Sequence, residues 1–356
     1  MLHQLRALAQ FFENKIGWNR VGLVVSLAII GIAIYVLAHM LHDINVDEVL
    51  AAIRATKVQN IAAAALFVAG GYFTLTFYDW FALRTIGRGE VPYRIAALAG
   101  FTSYSIGHNI GATVFTGGAV RYRIYSAYGL DAVEVAKICF VAGLTFWLGN
   151  VTVLGIGVTL HPAAAGAIDQ LGETPNRLIG IGLLVILTSY VAWVWSAPRE
   201  IGRGGWTVRL PSGPSTLLQV CIGIIDLGFC ALAMYMLVPG EPNIDFITLA
   251  VIFVTATLLG FASHSPGGLG VFDAAMLVAL WQFEKEALVA GLLLFRVLYY
   301  LVPFTLALAI LGAREIWLNM KGARQKLDLT AVKEVSGPIH TLPVTETKRT
   351  SADHEQ

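Results

Sequence analysis

The chain has 356 residues, of which 56% are hydrophobic and 13% are charged, and its formal net charge is +1. A soluble domain carries charge on about a quarter of its residues, so this composition excludes an ordinary soluble protein. Several runs hold more than about 18 largely apolar residues, which predicts an all-α polytopic membrane protein. The near-neutral charge argues against a nucleic-acid partner.

The organisation along the chain follows from hydropathy. Residues 1–20 mix apolar and charged positions, which predicts an amphipathic helix in the membrane interface rather than a cleavable signal. Residues 21–320 are predicted to form the transmembrane domain, and 321–356, rich in Lys, Glu, Thr and Ser, a disordered cytoplasmic tail. Runs of about 20 apolar residues predict the crossings, near 21–41, 61–83, 133–160, 178–195, 217–237 and 288–311.

Two short stretches inside apolar sequence repeat each other. Residues 100–107 (GFTSYSIG) match residues 260–267 (GFASHSPG) at the two glycines, the phenylalanine and both serines. Polar, glycine-rich backbone at membrane depth is tolerated only where protein or a water-filled cavity covers it. A matching pair of such interruptions points to a transporter-like binding site.

The arginine distribution indicates how these two segments enter the membrane. Basic residues near both ends of the chain predict cytoplasmic termini by the positive-inside rule. Arg121 and Arg123 would fall outside if 95–113 crossed fully, so the segment 95–118 is predicted to enter from the cytoplasm and return. The segment 247–280 is predicted to do the same from the other side. Three crossings separate the two, which gives six crossings and two re-entrant hairpins in an inverted repeat.

Charged residues within the spans are candidate site residues, because a mid-membrane charge is costly and needs a partner. Asp226 is either part of a binding site or a structural, paired or protonated acid. Arg296 could bind a phosphate bidentately, or pair with Asp226 or Asp273. Asp273 could act at the site or serve as an acidic residue at a helix N-terminus.

The glycine-rich motifs supply further candidates. Ser265, Gly267 and Gly268 form the predicted tip of the second hairpin, where glycine permits positive φ and close backbone approach. His108 and His264 each fall in a hairpin, where a proton relay is possible but a hydrogen-bonded structural histidine is favoured.

The first half of the chain offers a second set of charges. Asp79 lies near a span end and is either an interfacial acid or a site residue. Arg121 and Arg123 either set the topology or capture a lipid phosphate. Asp131 and Glu134 have the spacing of a helix capping box.

No motif for a soluble enzyme occurs in the sequence. It lacks a nucleophile elbow, a P-loop, a zinc-protease helix and a dinucleotide-binding fingerprint. The three cysteines lack metal-ligand spacing. We therefore predict no catalytic residue, no cofactor and no metal.

Three motifs carry a resemblance to a known family: Tyr78-Asp79, residues 117–123 (GGAVRYR) and residues 265–273 (SPGGLGVFD). Over roughly residues 20–315 the chain resembles the lysylphosphatidylglycerol synthase/flippase transmembrane domain family. The resemblance implies movement of an aminoacylated phosphatidylglycerol across a bacterial inner membrane. It also implies a functional set at positions matching Asp79, Arg121, Asp226 and Asp273.

The bifunctional members of that family continue into a soluble aminoacyl-transferase domain, which this sequence does not contain. We therefore expect that the chain does not itself make lysylphosphatidylglycerol. The expected function is to bind a phospholipid-like or polyprenyl-type amphiphile, or move it between leaflets. The alternative is a non-transporting accessory subunit of a lipid- or envelope-biosynthesis enzyme. The expected partners are a membrane lipid, and such an enzyme or a second copy of the chain.

Overall fold

The computed structural model describes residues 46–111, 113–203, 206–314, 316–317 and 320. The predicted interfacial helix (1–20), the first crossing (21–41) and the tail (321–356) lie outside these residues. The chain divides into two compact units after Leu308. The second unit contributes the described helical residues 309–314, 316–317 and 320, and the site belongs wholly to the first.

Helices make up most of the described chain, together with one short two-stranded sheet. In chain order the elements are α1 (Val46–Ala55), α2 (Val58–Thr85), α3 (Tyr93–Ile110), α4 (Thr113–Tyr125), α5 (Ala132–Leu160), α6 (Pro162–Asp169), α7 (Glu173–Ser196), β1 (Glu200–Arg203), β2 (Trp206–Arg209), α8 (Gly213–Leu237), α9 (Phe246–Ala262), α10 (Val271–Ala279) and α11 (Lys285–Arg296). β1 and β2 pair in antiparallel fashion.

Within the described residues, 5 helices are long and apolar enough to cross a membrane. They are α2, α5, α7, α8 and the helical stretch Lys285–Arg314 that begins with α11. They coincide with the predicted crossings at 61–83, 133–160, 178–195, 217–237 and 288–311. The protein is therefore an all-α polytopic membrane protein, as predicted.

Each of the two repeated motifs lies within a helical hairpin. α3 packs against α4 across a turn at Gly111, and α9 packs against α10 across residues 263–270. Gly111 has φ 84°, and Gly267 and Gly268 have φ 60° and 64°. Only glycine adopts these backbone angles at little cost. None of these four limbs is among the described helices that qualify as membrane-spanning.

The hairpins occupy equivalent places in two halves. α2 precedes the first hairpin and α8 the second, and these two helices pack extensively on each other. Three spanning helices, α5, α7 and α8, separate the hairpins. An odd number of crossings reverses the direction from which the second hairpin enters, which is the arrangement of an inverted repeat.

A glycine pair sets the distance between α5 and α8. A Cβ atom on Gly149 would lie 2.7 Å from the backbone of Gly223. The two helices therefore meet backbone to backbone. Small residues permit such close packing of membrane helices.

The predicted capping box at the start of α5 is present. The Asp131 side chain accepts from the Glu134 N–H at 2.8 Å, and the Glu134 side chain accepts from the Asp131 N–H at 3.0 Å. Glu134 also accepts from Arg88 Nε at 2.6 Å. The bonds from Arg88 to Glu134 and, second, to Glu90 raise the pKa of the Arg88 guanidinium, in the loop between α2 and α3. They fix the base of the first hairpin to α5.

Three short elements were not expected: α1, α6 and the β1–β2 hairpin. Their 4 to 10 residues are too few to give a clear periodic signal. α1 does carry a local helix signal, because Asp47 and Glu48 lie in its first turn and Arg54 in its last. Such charges favour the helix dipole.

Candidate functional site

A cavity of about 310 Å³ lies between the two hairpins. The first hairpin contributes His108 and Gly111, and the second contributes Ser265, Gly267 and Gly268. The hairpin tips also meet directly: the His108 carbonyl oxygen lies 3.5 Å from where a Cβ on Gly267 would be. The structure thus brings the two repeated motifs together at one site.

Aromatic side chains form a large part of the cavity wall. The aromatic lining residues are Tyr104, Phe115, Phe146, Phe253, Phe261, Phe272, Tyr299 and Tyr300. Two lining residues of α4, Val114 and Phe115, are 70% and 80% exposed. In a membrane, exposed apolar side chains face lipid, so this side of the cavity suits an apolar chain.

Asp226 is the carboxylate in the cavity lining. It is only 4% exposed and lies near the middle of the 25-residue helix α8. The Tyr78 hydroxyl donates to Asp226 Oδ2 at 2.9 Å, whereas Oδ1 has no hydrogen-bond partner in the described part of the chain. A buried polar atom without a partner is costly, so this oxygen is the place where a ligand donor would be favourable.

Asp79 and Arg121 form a buried ion pair that joins α2 to the first hairpin. Arg121 Nη2 lies 2.7 Å from Asp79 Oδ1, and the side chains are 4% and 0% exposed. Tyr125 donates to the same carboxylate at 2.8 Å. Asp79 is therefore not an interfacial acid, and Arg121 is not only a topological signal. This pairing was not predicted, although two opposite charges inside apolar sequence are a signal for such a pair.

A second ion pair joins the other hairpin to α11. Arg296 donates to Asp273 from Nε at 2.8 Å and from Nη2 at 2.5 Å. It also donates to the Gly267 carbonyl at 3.2 Å, at the hairpin tip. Asp273 in turn accepts from the Gly270 N–H at 3.0 Å, so it is also an acid at a helix N-terminus. The partner of Arg296 is thus Asp273 and not Asp226.

A π-helical turn, Val297–Leu301, follows Arg296 directly. Its backbone carbonyls find partners on the first half: Tyr72 donates to the Tyr299 carbonyl at 3.0 Å, and Asn109 donates to the Tyr300 carbonyl at 3.1 Å. A π-helical turn often marks a functional site. Here both Tyr299 and Tyr300 line the cavity. The Tyr299-Tyr300 doublet after Arg296 was the available sequence signal, and it was missed.

The remaining candidates differ in position. Arg123 is exposed on α4 and does not line the cavity. His108 and His264 both line it. The His108 ring stacks on Tyr299 with centroids 6.4 Å apart, whereas His264 is exposed and has φ 55°. Among the described residues no group of three or more His, Cys, Asp or Glu is placed to hold a metal.

These features define a class: polytopic α-helical membrane proteins in which two helical hairpins meet over a central cavity. The chain matches no family profile. It is 29% identical over 316 residues to an uncharacterised protein of Synechocystis, covering 87% of this chain and 97% of the relative.

Two further relatives carry informative names. The inner membrane protein YbhN of Escherichia coli is 29% identical over 271 residues, covering 74% of this chain and 82% of YbhN. The phosphatidylglycerol lysyltransferase of Staphylococcus haemolyticus is 25% identical over 285 residues, covering 77% of this chain but 32% of that enzyme. These homologues confirm the resemblance to the lysylphosphatidylglycerol synthase/flippase transmembrane domain family.

Proposed function

We propose that the protein binds a phospholipid-like amphiphile in the cavity between the two hairpins and moves it between the leaflets of a bacterial inner membrane. The observation that carries the proposal is the Oδ1 atom of Asp226, which has no hydrogen-bond partner among the described residues and lies in a mainly apolar cavity. A lipid headgroup at rest lies in the interface. A hydrogen-bond acceptor in the middle of a spanning helix, such as Asp226, would stabilise a headgroup that is crossing the membrane.

The lining suggests a role for each group. Asp226 accepts hydrogen bonds from ammonium or hydroxyl groups of the headgroup. The Ser265 hydroxyl faces the phosphate from the tip of the second hairpin, where the N–H groups of Gly268, Leu269 and Gly270 already donate within the turn. The exposed apolar side chains of α4 contact the acyl chains.

Two ion-paired arginines, Arg121 and Arg296, have a supporting role in this proposal. Arg121 holds the first hairpin through Asp79. Arg296 holds the tip of the second through Asp273 and the Gly267 carbonyl. Arg296 would meet a phosphate only after its bond to Asp273 opens, whereas Arg123 lies at the surface, where it can contact a headgroup before entry.

The relatives support the ligand class and the location. One is named a phosphatidylglycerol lysyltransferase, an enzyme of phospholipids, and another an inner membrane protein. Cytoplasmic termini remain a prediction from the arginine distribution. The boundaries of the transmembrane domain, 21–320, also remain a prediction.

Reconstitution tests the proposal directly. The purified chain is placed in liposomes with fluorescent phosphatidylglycerol, phosphatidylethanolamine or lysylphosphatidylglycerol, and the fraction reached by a membrane-impermeant quencher is followed over time. Wild-type protein should accelerate movement of at least one lipid over protein-free liposomes. Asp226→Asn should abolish that acceleration without loss of fold, because an amide oxygen still accepts from Tyr78.

Asp245→Asn is the matched control. Asp245 is an exposed N-cap residue that accepts from the Thr248 N–H at 2.9 Å. Asparagine is an equally good N-cap, so this variant should move lipid like the wild type. Normal movement by Asp226→Asn would remove Asp226 from the site. A folded wild-type chain that moves none of these lipids would favour the accessory-subunit alternative.

A further inference from the structure

A second cavity, of about 500 Å³, lies away from the hairpins, where the end of α7, strand β2 and the start of α8 meet. It shares no lining residue with the central cavity. Its lining includes one guanidinium, that of Arg209, and the hydroxyls of Ser196, Ser212 and Ser215. We call this cavity the basic pocket.

The segment around the basic pocket carries unbalanced positive charge. Residues 196–215 contain three arginines, Arg199, Arg203 and Arg209, and one acid, Glu200. Glu200 stands opposite Arg209 in the strand register, yet the two form no ion pair. Within the described chain the other two arginines form none either, and Arg203 and Arg209 are exposed.

Aromatic residues place this pocket at the level of lipid headgroups. Trp193 and Trp195, in the last turn of the spanning helix α7, are 43% and 58% exposed, and Trp195 lines the pocket. Exposed tryptophans near a span end are typical of the membrane–water interface. The Arg199 guanidinium lies 5.0 Å from the Trp193 ring centre and donates to the Ser196 hydroxyl at 3.2 Å.

The geometry points to an anionic phospholipid as the ligand. We propose that the basic pocket binds the phosphate of a phosphatidylglycerol-type lipid from the surrounding leaflet. The Arg209 guanidinium would donate two parallel N–H···O hydrogen bonds to the phosphate, a bidentate geometry that suits both groups. Ser212 and Ser215 share a hydrogen bond between their hydroxyls at 3.1 Å, so the second of these hydroxyls has its proton available to donate to a remaining oxygen. Trp195 would pack against the glycerol and the upper acyl chain.

This site is independent of the proposed transport. It would hold a lipid in one leaflet and so anchor the loop between α7 and α8 to the membrane surface. Anionic leaflets attract basic residues near a span end. Because Arg209 lines a cavity, that attraction would act on a lipid held at a defined position.

The test measures lipid binding to the purified full chain in neutral detergent. Titrating short-chain phosphatidylglycerol while following the thermal unfolding midpoint gives an apparent affinity. Arg209→Gln should weaken it by about tenfold, the value of one good charge-assisted contact. Arg209→Lys, which keeps the charge but loses the paired N–H groups, should lie in between. Phosphatidylcholine should give a smaller shift than phosphatidylglycerol.

Two controls make the outcome decisive. Arg177→Gln removes an exposed arginine from the opposite end of α7 and should leave the affinity unchanged. Asp245→Asn, an N-cap substitution that lines neither cavity, should also leave the affinity unchanged. Equal affinities for Arg209→Gln and Arg177→Gln would overturn the proposal. Glycerol phosphate that protects as well as the lipid would overturn the lipid assignment.

Discussion

The guanidinium of Arg121 and the carboxylate of Asp79 are joined by three hydrogen bonds of 2.7–3.1 Å in the interior of the protein. Arg121 belongs to the returning limb of the first hairpin and Asp79 to the long helix before it. The second hairpin is held by a similar ion pair, in which the positions of the acid and the arginine are exchanged. There Asp273 is on the returning limb and Arg296 on the long helix that follows. Each hairpin is thus tied to a neighbouring span by one ion pair.

Breaking the first pair should destabilise the protein strongly. Arg121→Gln leaves the Asp79 carboxylate buried without its cation, and such a change typically costs about 3–5 kcal/mol. The unfolding midpoint of purified protein in detergent measures the loss. Arg94→Gln, an exposed site on the same hairpin, should shift the midpoint little. The double variant Asp79→Asn/Arg121→Gln should lose less than the sum of its two single variants. Additive losses would show that the pair is not coupled.

The second pair should be easier to break. The side chains of Arg296 and Asp273 are 15% and 13% exposed, compared with 4% and 0% for the first pair. Partial solvation lowers the cost of an unpaired charge. We therefore expect Arg296→Gln to lower the unfolding midpoint by clearly less than Arg121→Gln. The reverse order would contradict the difference in burial.

The contact between α5 and α8 gives a sharp packing test. Gly149→Ala places a methyl group 2.7 Å from the Gly223 backbone, so the two helices must separate. Overpacking of this kind typically costs about 1–3 kcal/mol. Gly143, on the same helix, has no such neighbour within 4 Å. Gly143→Ala should therefore fold as well as the wild type, and equal behaviour of the two variants would exclude the close approach.

The stability of the π-helical turn Val297–Leu301 should depend on the hydrogen-bond donors Tyr72 and Asn109 in the first half of the chain. Tyr72→Phe removes the hydroxyl that donates a hydrogen bond to the Tyr299 carbonyl. This hydrogen bond is partly buried, and the loss of such a bond costs about 0.5–1.5 kcal/mol. Tyr235→Phe is the control, because the Tyr235 hydroxyl makes no hydrogen bond within the described residues. A Tyr72→Phe protein as stable as Tyr235→Phe would show that water replaces the lost donor.

Topology can be tested at the two ends of α8. Ser212 precedes this 25-residue helix and Glu241 follows it. At about 1.5 Å per residue the helix is long enough to span the hydrocarbon. Single cysteines at these positions, in a chain without its three native cysteines, should react with an impermeant reagent from opposite sides. Labelling of both from one side would contradict the crossing.

Much of the architecture could be predicted from the sequence because its signals are local. Five crossings follow from runs of apolar residues, and both hairpins from the repeated Gly-Phe-x-Ser-x-Ser-x-Gly motif. The capping box of Asp131 and Glu134 involves residues three positions apart. Short elements such as the β1–β2 hairpin were missed because a few residues carry too little periodic information.

The site was only partly predictable. Asp226, Ser265, Gly267 and Gly268 were singled out and do line the central cavity. The roles of these residues remain a prediction. The partners of the charges could not be chosen in advance, because a charge inside a span has several opposite charges within reach until the helices are packed.

The sequence alone determined that this chain spans a membrane several times and carries two inverted hairpins, because hydrocarbon thickness and backbone hydrogen bonding impose those features locally. Tertiary structure decided which charges pair and which oxygen stays unpaired. Arg121 and Asp79 are 42 residues apart, and Tyr78 and Asp226 are 148 residues apart. Contacts over such separations depend on how helices pack, and packing is settled by the whole set of side chains at once.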